Sequence, residues 1–266
     1  MPRPHVLLTN DDGIDAPGLG ALHDALRSVV DVTVVAPSED RSGVGRRKSH
    51  RVTLADHERG TAVDGTPVDC VAVGLHRCDT PPDLVVSGCN AGPNLGAHKL
   101  SQSGTVGAAM EAAFFGVPGI AVSAYDPEEG GLPEFHPEDF EQAARVTRYL
   151  VERLADATWV TDNWYFNVTV PNEPPVDDEL RLTRPAGGFD RRVVDADTGD
   201  ELTFDNRFYD PVRPDRAAEP DPETDLGACA DRVVSVSPLR AGPDTVTDDR
   251  LAAALAGFGS EQVDRG

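Results

Sequence analysis

Lysine is nearly missing from this chain: only Lys48 and Lys99 occur, among 24 basic residues. Arginine supplies the rest, and 46 acidic residues outweigh both, giving a formal net charge of −22. So strong a negative field repels nucleic-acid backbones and argues against a duplex-binding role. An acidic surface with few lysines suits a protein whose self-repulsion is screened by salt, so adaptation to high salt is expected. No apolar run approaches the ~20 residues that cross a bilayer, so no membrane partner is expected. The opening Met1-Pro2-Arg3-Pro4-His5-Val6-Leu7-Leu8 is cut short by Asp11 and Asp12 and has no signal-peptide anatomy. The expected location is the cytoplasm.

Cysteine is scarce and unpatterned. Cys70, Cys78, Cys89 and Cys229 form no C-x-x-C step and no paired spacing with histidine. That speaks against zinc, and against a disulfide framework in a chain of 266 residues. Small buried hydrophobes are the simpler reading of all four. His5, His23, His50, His57, His76 and His136 show no ligand spacing, and no role is assigned to them.

Apolar residues are only 39% of the chain, yet their order is informative. Residues 5–9, 32–36, 83–87, 119–123 and 165–170 are short, β-branched apolar runs bounded by turn residues, the pattern of buried strands. Leu19, Leu22, Leu26 and Val29 recur at spacings of three and four, one apolar face of a helix. Val106, Ala109, Met110 and Ala113 make a second such face, and Phe140, Ala143, Thr147, Leu150 and Leu154 a third. Strands alternating with helices predict βαβ units and a doubly wound, mostly parallel α/β sheet.

After Pro171 the texture changes. Residues 172–231 are rich in Pro, Asp, Arg and Gly, with Leu202-Thr203-Phe204 placed to pair as a hairpin. Residues 233–238 read as a late strand and 248–258 as a terminal helix. The expected division is a core at 1–171 and a C-terminal extension at 172–266. The extension is either a long excursion or an arm that packs on a second subunit.

Open α/β sheets bind ligands beyond the carboxyl ends of their strands. The first strand runs into Thr9-Asn10-Asp11-Asp12-Gly13, where adjacent carboxylates repel unless a cation lies between them. A solvated acidic turn, or a helix cap by Asp12, would use the same residues. The second strand ends in Ser38-Glu39-Asp40-Arg41-Ser42-Gly43, with a hydroxyl for an oxygen ligand and an arginine for a phosphate. The third ends in Ser87-Gly88-Cys89-Asn90-Ala91-Gly92-Pro93-Asn94-Leu95-Gly96, which offers backbone N–H groups to an anion and amide oxygens to a metal. Ser103-Gly104-Thr105 then opens a helix, where exposed N–H groups and the helix dipole favour phosphate, although Ser103 also suits a plain N-cap. Two carboxylates, a hydroxyl and an amide form an all-oxygen set, which favours Mg²⁺ or Mn²⁺ over softer metals and points to phosphate-ester hydrolysis.

In order and spacing, residues 5–125 resemble the SurE family, the stationary-phase survival nucleotidases. The strings that carry the likeness are Leu7-Leu8-Thr9-Asn10-Asp11-Asp12-Gly13, Ala16-Pro17-Gly18, Val35-Ala36-Pro37 with Arg41-Ser42-Gly43, Gly65-Thr66-Pro67-Val68-Asp69-Cys70, the Asn90 to Gly96 loop and Ser103-Gly104-Thr105-Val106. The likeness returns at Thr224-Asp225 and at residues 233–239. It implies that Asp11, Asp12, Ser42 and Asn90 hold one divalent cation, and that Asn94, Ser103, Gly104 and Thr105 lie around the substrate phosphate. It also implies a Rossmann-like core, hydrolysis of nucleoside 5′- and 3′-monophosphates, and a homodimer or homotetramer built partly by the C-terminal arm. Residues 97–102, Ala-His-Lys-Leu-Ser-Gln, depart from the acidic and aromatic residues usual there.

The expected chemistry is in-line attack of a metal-held water on phosphorus, with Asp12 as ligand or base. His98 and Lys99 lie close to the phosphate turn in sequence, where either could serve as a catalytic acid, although an exposed loop residue is the simpler reading of His98. The alternatives are a signalling receiver-like domain and a non-catalytic nucleotide-binding module. The receiver needs an Asp at the end of the third strand and a later Lys, yet that strand ends in Ser-Gly-Cys-Asn and no lysine follows Lys99. The module lacks a G-x-G-x-x-G turn after the first strand. A phosphatase with an aspartyl intermediate would need D-x-D, and residue 10 is Asn.

Overall fold

The computed structural model describes residues 3–127, 135–155, 157, 160, 163–173, 179–188, 191–195, 201–206 and 219–242. The chain opens with β1 (His5–Thr9), α1 (Pro17–Leu26) and β2 (Asp31–Pro37), followed by a hairpin of β3 (Leu54–His57) and β4 (Gly60–Val63). Next come α2 (Pro67–Arg77), β5 (Leu84–Ala91), the short α3 (Gly96–Leu100), α4 (Gly104–Phe114) and β6 (Gly119–Tyr125). A 3-10 turn (Pro137–Phe140) leads into α5 (Glu141–Leu154) and β7 (Trp164–Pro171). The remainder holds β8 (Leu180–Leu182), β9 (Arg191–Asp195), β10 (Leu202–Asn206), α6 (Asp225–Ala230) and β11 (Val234–Arg240).

Nine strands form one sheet in the order β3-β4-β2-β1-β5-β6-β7-β11-β8. The ladders of β1 with β2 and β5, of β5 with β6, and of β6 with β7 are all parallel. From β1 the chain winds outward through β2 and β4, then crosses back to add β5 on the other side of β1. The switch point of this doubly wound sheet therefore falls between β1 and β5, where two loops diverge and leave a crevice.

Side-chain alternation along β1 divides the core. Val6 and Leu8 face α1 and α5, packing with Leu19, Leu22, Leu26 and Leu150. Leu7 faces the other layer, with Cys70 and Val71 of α2 and Ala108 and Ala112 of α4. Helix α2 starts where the side chains dictate: Thr66 caps it, Pro67 supplies a preset φ, and Asp69 Oδ2 accepts the Thr66 N–H at 2.9 Å.

The late strand is present but runs to Arg240 and pairs antiparallel with β7, Ser235 opposite Thr169. Strand β8 adds parallel to β11 at the sheet edge. The hairpin around Leu202 is β9 with β10, a two-stranded sheet of its own with Phe204 opposite Val193. Residues 248–258 lie outside the described residues. The four cysteines are free thiols, three of them buried and Cys78 half-buried. Among the described residues no helix is long and apolar enough to cross a membrane.

Candidate active site

The switch point gathers the acidic pair. After β1 the chain turns at Gly13, whose φ of +101° suits glycine and whose missing Cβ leaves room for Glu39. Asn10, fully buried, closes this turn by donating from Nδ2 to the Gly13 carbonyl at 2.8 Å. Asp11 is 3% exposed. Its carbonyl accepts the Arg41 N–H at 2.7 Å, which ties the end of β1 to the loop after β2.

Helix α4 supports Asp11 from the opposite side. Ser103 caps the helix by accepting the Val106 N–H at 3.1 Å. Thr105 Oγ1 donates to the Asp11 carboxylate and lies 3.3 Å from Asn90 Oδ1, so one hydroxyl touches the ends of β1 and β5. Any Cβ on residue 104 would stand 2.8 Å from Asp11 Oδ2, so only glycine lets the carboxylate sit over the first turn. The positive end of the helix dipole favours a negative charge there.

Burial nevertheless dominates the electrostatics. It pushes the Asp11 carboxyl above its usual range, against the pull of the Thr105 hydroxyl and with Asp40 adding to the push. Asp12 is pushed up to about 7 by burial, then by the charges of Asp11 and Asp40; the Ala91 backbone and the Ser42 side chain act the other way. Ser42 Oγ donates to Asp40 Oδ1 at 2.6 Å. Asn90 donates from Nδ2 to the Gly92 carbonyl at 2.5 Å, which turns its Oδ1 toward Thr105. Carboxylates crowded in this way lack positive charge. Asp12 and Asp11 contact Ser42 and Thr105, so the four expected ligands are drawn together through three loops.

A cavity of about 170 Å³ opens here. Asp11, Ser42, Asn90, Asn94 and Ser103 line it, and so do Lys99 and Gln102. Asp12, Gly104 and Thr105 are not on its wall; Asp12 is half-buried beside Ser42, and the other two contact Asp11. Asn94 is held from behind, its Nδ2 donating to Ser123 Oγ at 3.0 Å, and one amide hydrogen is left over. Among the described residues no three His, Cys, Asp or Glu side chains gather as a metal cluster, so a cation here must draw on hydroxyl and amide oxygens as well.

Three contributors are absent from the expected set. Asp40 is a third carboxylate acting on both others, and its signal was the Asp-x-Ser step that lets it accept the Ser42 N–H at 2.7 Å. Asp225, fully buried, accepts N–H groups from Gly96 at 2.7 Å, Ala186 at 2.9 Å and Leu226 at 2.8 Å. It thereby fastens the loop that carries Asn94 to the C-terminal segment. Lys99 enters the cavity wall because α3 turns it there. A wider depression of about 340 Å³ holds Arg46, Lys48, Phe114 and Phe115, but both of its cations are engaged by Glu111 at 2.6 Å.

Fold and site together define an open α/β protein with an acidic, oxygen-rich centre at its switch point. The family model described as Survival protein SurE matches residues 6–189, a span that includes every residue of that centre from Asp11 to Thr105. The 5′-nucleotidase SurE of Haloarcula marismortui is 45% identical over 262 residues, 96% of this chain and 95% of the relative. That of Halobacterium salinarum is 46% identical over 259 residues, 96% and 98% of the two chains. The crystal structure of the SurE protein from Aquifex aeolicus superposes with a TM-score of 0.77 at 30% identity, covering 96% of this chain and 100% of that one. The chain belongs to the SurE family.

Proposed function

We propose that this chain is a cytoplasmic 5′-nucleotidase that uses one divalent cation, Mg²⁺ or Mn²⁺, to hydrolyse nucleoside monophosphates, with 3′-monophosphates as further substrates. The activity in the names of relatives that match almost the whole chain supports the reaction. The observation that carries the metal is the adjacent pair Asp11 and Asp12, whose carboxyls burial holds above their usual range, with Asp11 on the wall of one small cavity and neutral oxygens from Ser42 and Asn90 on the same wall. Asp11, Asp12, Ser42 and Asn90 would hold the ion. Once bound, it supplies a Lewis acid for a phosphoryl oxygen and lowers the pKa of water.

The chain's own residues do the rest. Ser103 faces the cavity with its hydroxyl proton unused by the cap, so it can donate to a phosphate oxygen. Asn94 offers its remaining amide hydrogen from a position fixed by Ser123. Gly104 and Thr105 act on the phosphate through Asp11, which they hold in place. Asp12 is the candidate general base: it would take a proton from the attacking water and return it to the departing nucleoside oxygen as the ester bond breaks in line.

The extension completes the proposal. We infer that residues 172–266 serve the 1–171 core partly as an oligomerisation arm, and that the protein is a homodimer or homotetramer. The β9–β10 pair exposes Val193, Leu202 and Phe204, each more than half open to solvent. Among the described residues the pair joins no third strand; a two-stranded sheet is marginal in water, and the open faces of Val193 and Leu202 suit burial on a second copy. Release of phosphate from adenosine monophosphate with Mn²⁺, absent with chelator, tests the reaction; no release at any divalent ion would reject it.

A further inference from the structure

We infer that Lys99 binds the phosphate group of the substrate, as the cation on the wall of the cavity that Asp11 also lines. The ligand's identity as a phosphate monoester rests on the nucleotidase reading; the position and charge of Lys99 do not. Lys99 lies on α3, and the first residue of that helix, Gly96, is clamped by buried Asp225 at 2.7 Å. The residue lines the same cavity as Asp11, Ser42 and Ser103. Among the described residues its ammonium forms no ion pair and no hydrogen bond.

That freedom is unusual in its surroundings. Arg41, next to the site, is paired with Asp64 at 2.9 Å. Arg46 and Lys48 both reach Glu111 at 2.6 Å. In a chain with 46 acidic and 24 basic residues, a cation at the edge of an acidic cavity and still unpaired has been kept apart from the surface ion pairs. The charge count at the site gives it a purpose. The carboxylates of Asp11 and Asp12 offset the charge of one divalent ion, so an arriving phosphate dianion gains from a further positive charge on the wall. An ammonium meets that need as a compact donor of up to three hydrogen bonds, on a flexible stem that can follow the phosphate during reaction.

The competing role, a counter-charge that merely quiets the three carboxylates, makes the opposite forecast for metal. If Lys99 serves phosphate, removing it weakens phosphate binding and leaves Mn²⁺ binding unchanged or tighter, because a repelling charge has gone. The test is calorimetric titration of the Mn²⁺-loaded full chain with inorganic phosphate, for wild type, Lys99→Met and Lys99→Arg, alongside Mn²⁺ titration of each. Lys99→Met should weaken phosphate binding about tenfold to a hundredfold, and Lys99→Arg should recover most of it. With adenosine monophosphate the loss should fall mainly on KM. Phosphate binding within about twofold of wild type in Lys99→Met would overturn the inference, and so would an equal loss of Mn²⁺ affinity. Should the wild type release no phosphate from the nucleotide, the nucleotidase reading fails, and the phosphate titration still decides Lys99.

Discussion

The switch-point site and the β9–β10 pair break the usual rule of burial in opposite directions. One crowds carboxyls against their usual preference for water; the other leaves Val193 and Leu202 more than half open to solvent. Each arrangement is costly for a lone chain and sensible for a chain with a companion. On the proposed function, a cation would relieve the first and a second apolar surface the second. The two regions therefore teach the same lesson: a local violation of folding rules points to what the molecule binds.

The sharpest way to break the comparison is Asp12→Asn. Turnover should fall on the order of a thousandfold, since metal-borne charge stabilisation is worth several kcal/mol. The fold should survive and even gain. Asp12 in the metal-free protein is held at about 7 against an ordinary 3.8, so the folded state binds its proton more tightly than the unfolded state. Its contribution to stability is thus full below pH 3.8 and is lost as pH rises through about 7. Metal-free wild type should melt at progressively lower temperature between pH 4 and 8, and Asp12→Asn should flatten that slope by a few degrees. Thermal scans with chelator and with Mn²⁺ check this. A slope unaltered by Asp12→Asn would remove the strain from the account.

A smaller effect is expected from Phe204→Ser combined with Val193→Ser. Both changes should weaken self-association by about tenfold to a hundredfold while leaving the monomer's melting temperature nearly unchanged. Light scattering across a dilution series reads this directly. A monomeric wild type would show that the hairpin has another occupant. Thr105→Val is next: losing the hydroxyl that orients Asp11 should cost Mn²⁺ affinity about tenfold, with phosphate affinity following. The smallest effect per residue belongs to the surface. With 46 acidic residues and only two lysines, the unfolding midpoint should rise steadily from low to molar salt, as screening relieves repulsion.

Much of this was legible in the residues themselves. The alternation of apolar runs gives β1, β2, β5, β6 and β7 in order, because buried parallel strands read as continuous β-branched stretches. Asp11, Ser42, Asn90 and Ser103 each stand at an element end, where open sheets bind ligands, and the structure brings them to one cavity. Helix α2 went unread even though Thr66-Pro67-Val68-Asp69 carries its whole start signal. Its apolar face is broken by Gly74, which sits against Leu7. The insertion of β11 between β7 and β8 had no local trace, since it depends on pairing between segments some 70 residues apart. Asp225 is similar: only the folded chain shows that it meets Gly96.

The central claim is that one hard cation is shared by Asp11, Asp12, Ser42 and Asn90. Anomalous diffraction from crystals soaked in Mn²⁺ tests it most directly. A single strong peak within coordination distance of oxygens from all four residues is the expected result. A peak elsewhere, or none at saturating Mn²⁺ in crystals that still turn over nucleotide, would contradict it.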